Sequence, residues 1–330
     1  MLTSPGVEMP ALPFANRTID VDRQILIEVT KRCHCACAHC FTDAGPHVRT
    51  AEPTRNQVGT LVATARHLGL TSVTFSGGEL MLRQDIDALV QAVEPGADLW
   101  LFTSGLRLGF DALLRWAARV AGYVVSLDGT AARHDWLRRR SGSFDENVAF
   151  LKRLAAAGCR VQIQSMVLGV DDEHLEPVIR LAEAVHAERI LFSHVSPDGR
   201  GLSLADFHLG PEQLDALHAR VKALQQDTPV RLRTNLMPKT IVEQRFPRMA
   251  LHVVPTGEVL PWFGAPRAFA VAHLDAHGWD LARAIGRTRL SDTVTAAFDR
   301  ARSAALGYAG DAVPVDDLIV RELRELAACN

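Results

Sequence analysis

QILIEVT (Gln24–Thr30) runs without a break into KRCHCACAHCF (Lys31–Phe41). The first segment is short and rich in β-branched and aliphatic residues, which predicts a buried strand. The second packs four of the chain's six cysteines, Cys33, Cys35, Cys37 and Cys40, into one loop. The same unit, a short apolar run and then a helical stretch, recurs down the chain. SVTFS (Ser72–Ser76), LWLFTS (Leu99–Ser104), YVVSLD (Tyr123–Asp128), VQIQSMVLG (Val161–Gly169) and RILFSHV (Arg189–Val195) read as further strands. Helices are expected over Arg55–Leu68, Arg83–Val93, Asp111–Val120, Phe144–Ala157 and Glu173–His186.

Six strand–helix units in series imply a parallel sheet, because parallel neighbours need a crossover connection. The runs are apolar throughout, as expected when both faces are covered. The expected fold class is α/β, a partial (β/α)6 parallel barrel over residues 23–207. Periodicity alone does not separate that barrel from a flat doubly wound sheet. Residues 1–22 form an N-terminal extension. Residues 208–330 break the rhythm and predict a small C-terminal α+β extension. Within it, Pro211–Leu224, Ser291–Ala305 and Asp316–Ala328 read as helices and VRLRTN (Val230–Asn235) as a strand. LHVVPTGEVLPW (Leu251–Trp262) reads as a hairpin around Thr256-Gly257.

Lys and Arg number 36 and Asp and Glu 38, a net charge of −2, with no basic run of five. A nucleic-acid partner is therefore not expected. Arg138-Arg139-Arg140 is short and reads as a solvated helix end. No apolar stretch reaches the roughly 18–20 residues of a membrane span. The opening MLTSPGVEMPALPF lacks a charged, then apolar, export signal. A cytoplasmic protein with no membrane contact is the expectation. In reducing cytosol, crowded cysteines read as a metal site rather than a disulfide framework.

The spacing Cys33-x3-Cys37-x2-Cys40 suits a cubane iron–sulfur cluster held through three irons, leaving the fourth open to a small ligand. Cys35 is then a supernumerary cysteine. A zinc site from four cysteines, or from three with His34 or His39, is the alternative. Structural zinc sites usually pair two separated knuckles, and no second knuckle follows. Spacing alone leaves both open.

The downstream motifs bring in a family. The loop Cys33–Cys40 resembles the C-x3-C-x-φ-C signature of the radical S-adenosylmethionine (SAM) superfamily, with His39 at the aromatic position and Phe41 just after it. FSGGE (Phe75–Glu79) resembles its GGE motif, and Thr103-Ser104-Gly105 its TNG-type motif, with Ser104 in the Asn place. SLDG (Ser126–Gly129), then His134-Asp135-x2-Arg138, Gly142-Ser143-Phe144 and Pro197-x-Gly199-Arg200-Gly201, resemble the peptide-modifying branch. The resemblance runs in order over roughly residues 22–205. Strand-end motifs converge on one face of a parallel barrel, where ligands bind.

The resemblance implies one 4Fe-4S cluster on Cys33, Cys37 and Cys40, with SAM on its open iron. It implies SAM contacts from Gly77, Gly78, Glu79, Ser104, Ser126, Asp128, Gln164 and Phe41. Taken singly, Glu79 reads equally as a carboxylate at a helix N-terminus, the serines and Asp128 as turn residues, and Gln164 as a core glutamine. The implied activity is reductive cleavage of SAM to a 5′-deoxyadenosyl radical, fed by an external one-electron donor of flavodoxin or ferredoxin type. The radical takes hydrogen from a peptide or small-molecule natural-product precursor, leading to crosslinking, epimerisation or rearrangement.

The chain also departs from the pattern. Val254–Trp262 resembles the opening of the SPASM or twitch extension, but Trp262 stands where those relatives carry cysteine. No cysteine lies between Cys159 and Cys329, so the extension is expected to be free of auxiliary clusters and to pack over the barrel mouth. Trp262 then lines the pocket or sits in the core. No leader-peptide recognition domain is expected in residues 1–22, which leaves that role to a separate peptide-recognition protein. Cys159 reads as a buried thiol, and Cys35 or Cys329 as a candidate hydrogen donor. Two rival functions stay on the table: a zinc or iron–sulfur scaffold or sensor without catalysis, and a radical SAM methyl or adenosyl transferase.

Overall fold

The computed structural model describes residues 11–14, 17–94, 96–106, 115–170, 173–195, 199–238, 248–263, 265, 267–308 and 312–328. Its centre is a ten-stranded sheet. Strands β3 (Gln24–Thr30), β4 (Ser72–Gly77), β5 (Asp98–Thr103), β6 (Gly122–Ser126), β7 (Val161–Val167), β8 (Arg189–His194) and β9 (Arg231–Thr234) follow one another in parallel. The sheet is an open partial barrel, as the α/β reading expected.

The helices cover one face. Helix α1 (Arg55–His67) shows why they form. Thr54 and Gln57 make a reciprocal capping box, with Gln57 N donating to Thr54 Oγ1 at 3.3 Å and Thr54 N to Gln57 Oε1 at 2.7 Å. Val58, Leu61, Val62 and Ala65 then recur at helical spacing and are buried. They pack on Ile25, Ile27, Val73 and Phe75, the outward residues of β3 and β4, in one continuous core. Each such side chain contributes about 1.5–3 kcal/mol by leaving water.

The opposite face mixes polar with apolar residues, which corrects the expectation of uniformly apolar strands. Strand β7 alternates strictly, with Val161, Ile163, Ser165 and Val167 buried and Gln162, Gln164 and Met166 half-buried. Glu28, Ser76, Gln164 and Ser193 share this inner face with Arg189 and Arg233. Helices shield only the outer side, so the inner side is free to carry polar groups toward a ligand.

Helix α2 (Ile86–Ala92) starts later than expected, after a 3-10 turn over Leu80–Leu82. Helix α3 (Ala131–Arg138) was not read from the sequence. Helices α4 (Ser143–Ala156), α5 (Leu175–Ala184) and α6 (Pro211–Leu224) match their expected stretches. Of the expected helix Asp111–Val120, residues 111–114 lie outside the described residues, while 115 and 116 are helical and 117–119 form a turn; Pro197 and Cys329 also lie outside the described residues.

The sheet continues across residue 207. After α6, β9 adds to the β8 edge. The expected hairpin is β12 (His252–Val253) and β13 (Glu258–Leu260); β12 pairs in parallel with β3, and β13 pairs antiparallel with β14 (Ala272–His273). Buried His252 and Glu28 tie the hairpin to β3, with Nε2 and Oε1 2.8 Å apart. Trp262 takes the core alternative, buried against Phe269. β1 (Ala11–Phe14) and β2 (Arg17–Val21) pair as a hairpin, and β11 (Arg248–Met249) joins β2. β10 (Met237–Pro238) pairs with β15 (Ala312–Val313). Helices α7 (Leu281–Arg287), α8 (Asp292–Leu306) and α9 (Val315–Ala328) complete the described chain.

Candidate active site

The cysteine loop leaves the end of β3 and is held from several sides. Cys33 N donates to Gly45 O at 3.2 Å and Gly45 N to Lys31 O at 3.1 Å, which closes the loop on itself. Ala38 N donates to Leu137 O at 2.7 Å, tying it to α3. Arg200 donates from Nε to Cys37 O and from Nη2 to Ala44 O, both at 2.7 Å. Gly199 beside it has φ +52°, and a Cβ there would stand 2.6 Å from both Cys40 O and Phe41 O. Only glycine permits that approach.

Cys33, Cys35 and Cys37 are buried and Cys40 is half-buried. The Cys35 thiol lies between its neighbours. Its hydrogen bond is the main cause that draws the Cys37 thiol down to about 6; burial opposes and the Arg138 guanidinium assists. The same donor lowers Cys33. Cys35 itself is pushed far up because it donates to both Cys33 and Cys37. Burial raises Cys40. Among the described residues no trio of His, Cys, Asp or Glu surrounds a single metal-ion position. The lowered Cys33 and Cys37 thiols, with Cys40 on the same short loop beside the Arg138 and Arg200 cations, suit a thiolate-held iron–sulfur cluster.

The glycine pair presses against this loop. Gly77 has φ +133°, and a Cβ on it would lie 2.1 Å from Thr30 O; one on Gly78 would lie 2.1 Å from Arg32 O. Gly78 N and Glu79 N donate to those two carbonyls at 2.8 Å. The close approach expected toward a ligand is thus made first to the chain's own cysteine loop.

The two carboxylates expected to contact SAM, Glu79 and Asp128, are each held by donors of the chain itself. Glu79 is fully buried and accepts from Ser104 Oγ at 2.7 Å, Thr103 Oγ1 at 2.9 Å and Ser104 N at 3.0 Å. Burial pushes its carboxyl up, and these hydrogen bonds pull against it. It fixes the Thr103-Ser104-Gly105 turn. Asp128 accepts from Arg138 Nε at 2.8 Å and from Met166 N at 2.9 Å, and Arg138 Nη2 lies 2.6 Å from its Oδ2. Burial would raise this carboxyl, but Arg138, His39 and His134 outweigh it and hold it well below the usual range. Arg138 is itself buried, not the solvated helix end that its neighbours suggested, and its Nη1 lies 3.8 Å from Cys37 Sγ. Asp128 therefore acts on the cysteine loop through Arg138.

Asn147 was missed. From α4 its Nδ2 donates to Ser104 O and Ser126 O, both at 2.7 Å, and so joins two strand ends. It lies one helical turn beyond Gly142-Ser143-Phe144, where the motif reading stopped. Gln164 is half-buried on the inner face opposite Ser126, and its amide donates to Ser193 Oγ. Phe41 is exposed at the mouth, edge-on to His252 at 6.1 Å.

A sheet of this kind, with a clamped cysteine loop at its strand ends, is the arrangement that the radical SAM resemblance implies. The radical SAM superfamily profile matches residues 27–183, a little under half of the chain. The chain is 27% identical to a PqqA peptide cyclase of Xanthomonas campestris pv. campestris, over 92% of this chain and 88% of the relative. It is 26% identical to an AdoMet-dependent heme synthase of Oleidesulfovibrio alaskensis, over 71% of this chain and 61% of that protein. The chain therefore spans less than two thirds of the heme synthase's length. Streptococcus suis SuiB bound to S-adenosylmethionine shares the fold, with a TM-score of 0.60 at 16% identity over 72% of this chain and 59% of SuiB. The cofactors of the superfamily are a 4Fe-4S cluster and SAM.

Proposed function

We propose that this chain is a radical SAM enzyme acting on a peptide or a related natural-product precursor. Cys33, Cys37 and Cys40 hold the cluster, and Gly77, Gly78, Ser104, Ser126, Gln164 and Phe41 border SAM. When bound, the pair supplies a 5′-deoxyadenosyl radical for removing hydrogen from unactivated carbon. The chain's own work is positioning. Glu79 and Asn147 fix the strand-end turns, Asp128 and Arg138 brace Cys37, and Arg200 pins the loop backbone. Cys35 stays protonated and donates to its neighbours.

The observation that carries this reading is the clamping of the cysteine loop by Gly78, Arg138 and Arg200 at the strand ends. The peptide substrate is supported by the likeness to the PqqA peptide cyclase and by the SuiB structure with its precursor peptide SuiA. A cavity of about 390 Å³ reaches Cys33 between Arg32, Arg49 and Arg140, which supports an acidic one-electron donor of flavodoxin or ferredoxin type. No described helix is long and apolar enough to cross a membrane, which supports a cytoplasmic setting. Residues 208–330 act as a cluster-free cover of the inner face, and a separate protein supplies peptide recognition.

The test is anaerobic reconstitution followed by iron, sulfide and product assay. About four irons per chain, with 5′-deoxyadenosine formed from SAM and dithionite, supports the enzyme. Stoichiometric zinc without SAM cleavage overturns it in favour of a scaffold or sensor. A methylated or adenosylated product overturns hydrogen abstraction in favour of a transferase.

A further inference from the structure

The inner face carries three cations that neither the cluster loop nor the strand-end turns engage. Arg189 begins β8, and Arg231 and Arg233 lie on β9. Their neighbours Ile190, Phe192 and Leu232 are in the outer core, so the three arginines sit on the inner side. Arg189 stands directly opposite Arg231 in the parallel ladder, and Arg233 opposite Leu191. Like charges directly opposite on one face repel. A sheet keeps such a pair when something else offsets the charge.

Among the described residues only Glu188 works against the repulsion at Arg189, and it does not outweigh it. No carboxylate lies within 4.0 Å of Arg189, Arg231 or Arg233 among the described residues. Glu188, next in sequence to Arg189, is taken by Arg160 at 2.5 Å. Arg189 donates only to Gln162, and its Nε is buried with no hydrogen-bond partner. Arg233 donates to Leu232 O, the carbonyl of its own neighbour. Burial, reinforced by repulsion from Arg231 and Arg233, lowers the Arg189 pKa against the opposing pull of Glu188. Arg231 is exposed and its charge is screened by water, but Arg189 and Arg233 are half-buried. A buried guanidinium N–H without an acceptor is costly.

The register also gives the distance. Ser126 pairs with Gln164, Gln164 with Leu191 and Leu191 with Arg233. Three strand spacings of about 4.8 Å put Arg233 about 14 Å across the sheet from Ser126. A molecule lying on the inner face with one end at that strand end reaches the arginines with the other.

We propose that Arg189, Arg231 and Arg233 form an oxyanion subsite that holds a carboxylate or phosphate group of the substrate on the inner face. The guanidinium forks match the paired oxygens of either group. An acidic side chain, a peptide C-terminus or a phosphorylated precursor supplies such a group. The subsite rests on the reading that the inner face receives the substrate.

The test uses the full chain in buffer of low ionic strength, with pyrophosphate and citrate as probes in calorimetry and thermal unfolding. The parent binds one probe per chain, and its melting temperature rises. Arg189→Gln and Arg233→Gln each weaken that binding at least tenfold, while Arg233→Lys retains most of it. Without probe, Arg231→Gln melts no lower than the parent, because one repulsive charge is gone. Binding of pyrophosphate alone assigns a phosphate group, and binding of citrate alone a carboxylate. Equal probe binding by parent and both Gln variants overturns the subsite. So does a lower melting temperature in all three Gln variants with no probe effect on the parent, which makes the arginines structural. A parent that binds probe but forms no 5′-deoxyadenosine overturns the enzyme reading and leaves the subsite standing.

Discussion

Replacing Asp128 with Asn keeps the side-chain shape and removes its charge. Asp128 and Arg138 are 1% and 8% exposed, so water does not take over the lost partner. Arg138 loses a two-pronged contact, with Nε at 2.8 Å and Nη2 at 2.6 Å from Oδ2. Breaking a buried pair from one side costs about 3–5 kcal/mol, because an uncompensated charge stays behind. The Cys37 sulfur, 3.8 Å from Nη1, offsets part of that charge, so the expected loss lies near the low end, about 3 kcal/mol. At an unfolding entropy of about 2.1 cal/mol/K per residue, a melting temperature lower by about 4 °C follows. The assay is denaturant and thermal unfolding of the cluster-free chain under argon, which keeps cluster loss out of the reading. Removing both charges, as in the Asp128→Asn/Arg138→Met double variant, recovers part of the loss. The pH dependence gives a second check. The folded-state pKa of Asp128 is depressed, so its contribution is present above its unfolded value of about 3.9 and fades as pH falls toward the folded value. Asp128→Asn removes that acid-side slope. A loss below about 0.5 kcal/mol, with an unchanged acid-side slope, would refute the buried pair.

Other outcomes follow from the same geometry. Cys35→Ala keeps about four irons per chain, whereas Cys37→Ala does not; iron and sulfide analysis decides between a donor and a ligand role for Cys35. Gly78→Ala places a Cβ 2.1 Å from Arg32 O and costs at least about 2 kcal/mol by overpacking, with the cluster loop displaced. Unfolding together with cluster absorbance reads both effects. Asn147→Ala strands the carbonyls of Ser104 and Ser126 and costs about 1–3 kcal/mol, and SAM titration shows weaker binding.

The ligand chemistry was legible because it is written in residue types. Three spaced cysteines, a glycine pair and serines at strand ends announce themselves locally. The partner of each charged group was not. Arg138 sits in a run of three arginines and reads as solvated, yet α3 carries it inward onto Asp128, ten residues upstream. The partners of Glu79 are likewise hidden in the sequence until β5 brings Thr103 and Ser104 against it. The apolar runs gave the strands but not their two faces, since Gln162, Gln164 and Arg189 look incidental until the ladder lines them up. The β12–β3 pairing joins His252 to Leu26 across most of the chain, beyond the reach of local periodicity.

The most direct single measurement is the electron paramagnetic resonance spectrum of the reduced, reconstituted chain before and after SAM is added. An open iron at the Cys33, Cys37 and Cys40 loop predicts a reduced 4Fe-4S signal whose g-values shift when SAM binds. No iron–sulfur signal, or one that SAM leaves unchanged, would contradict it.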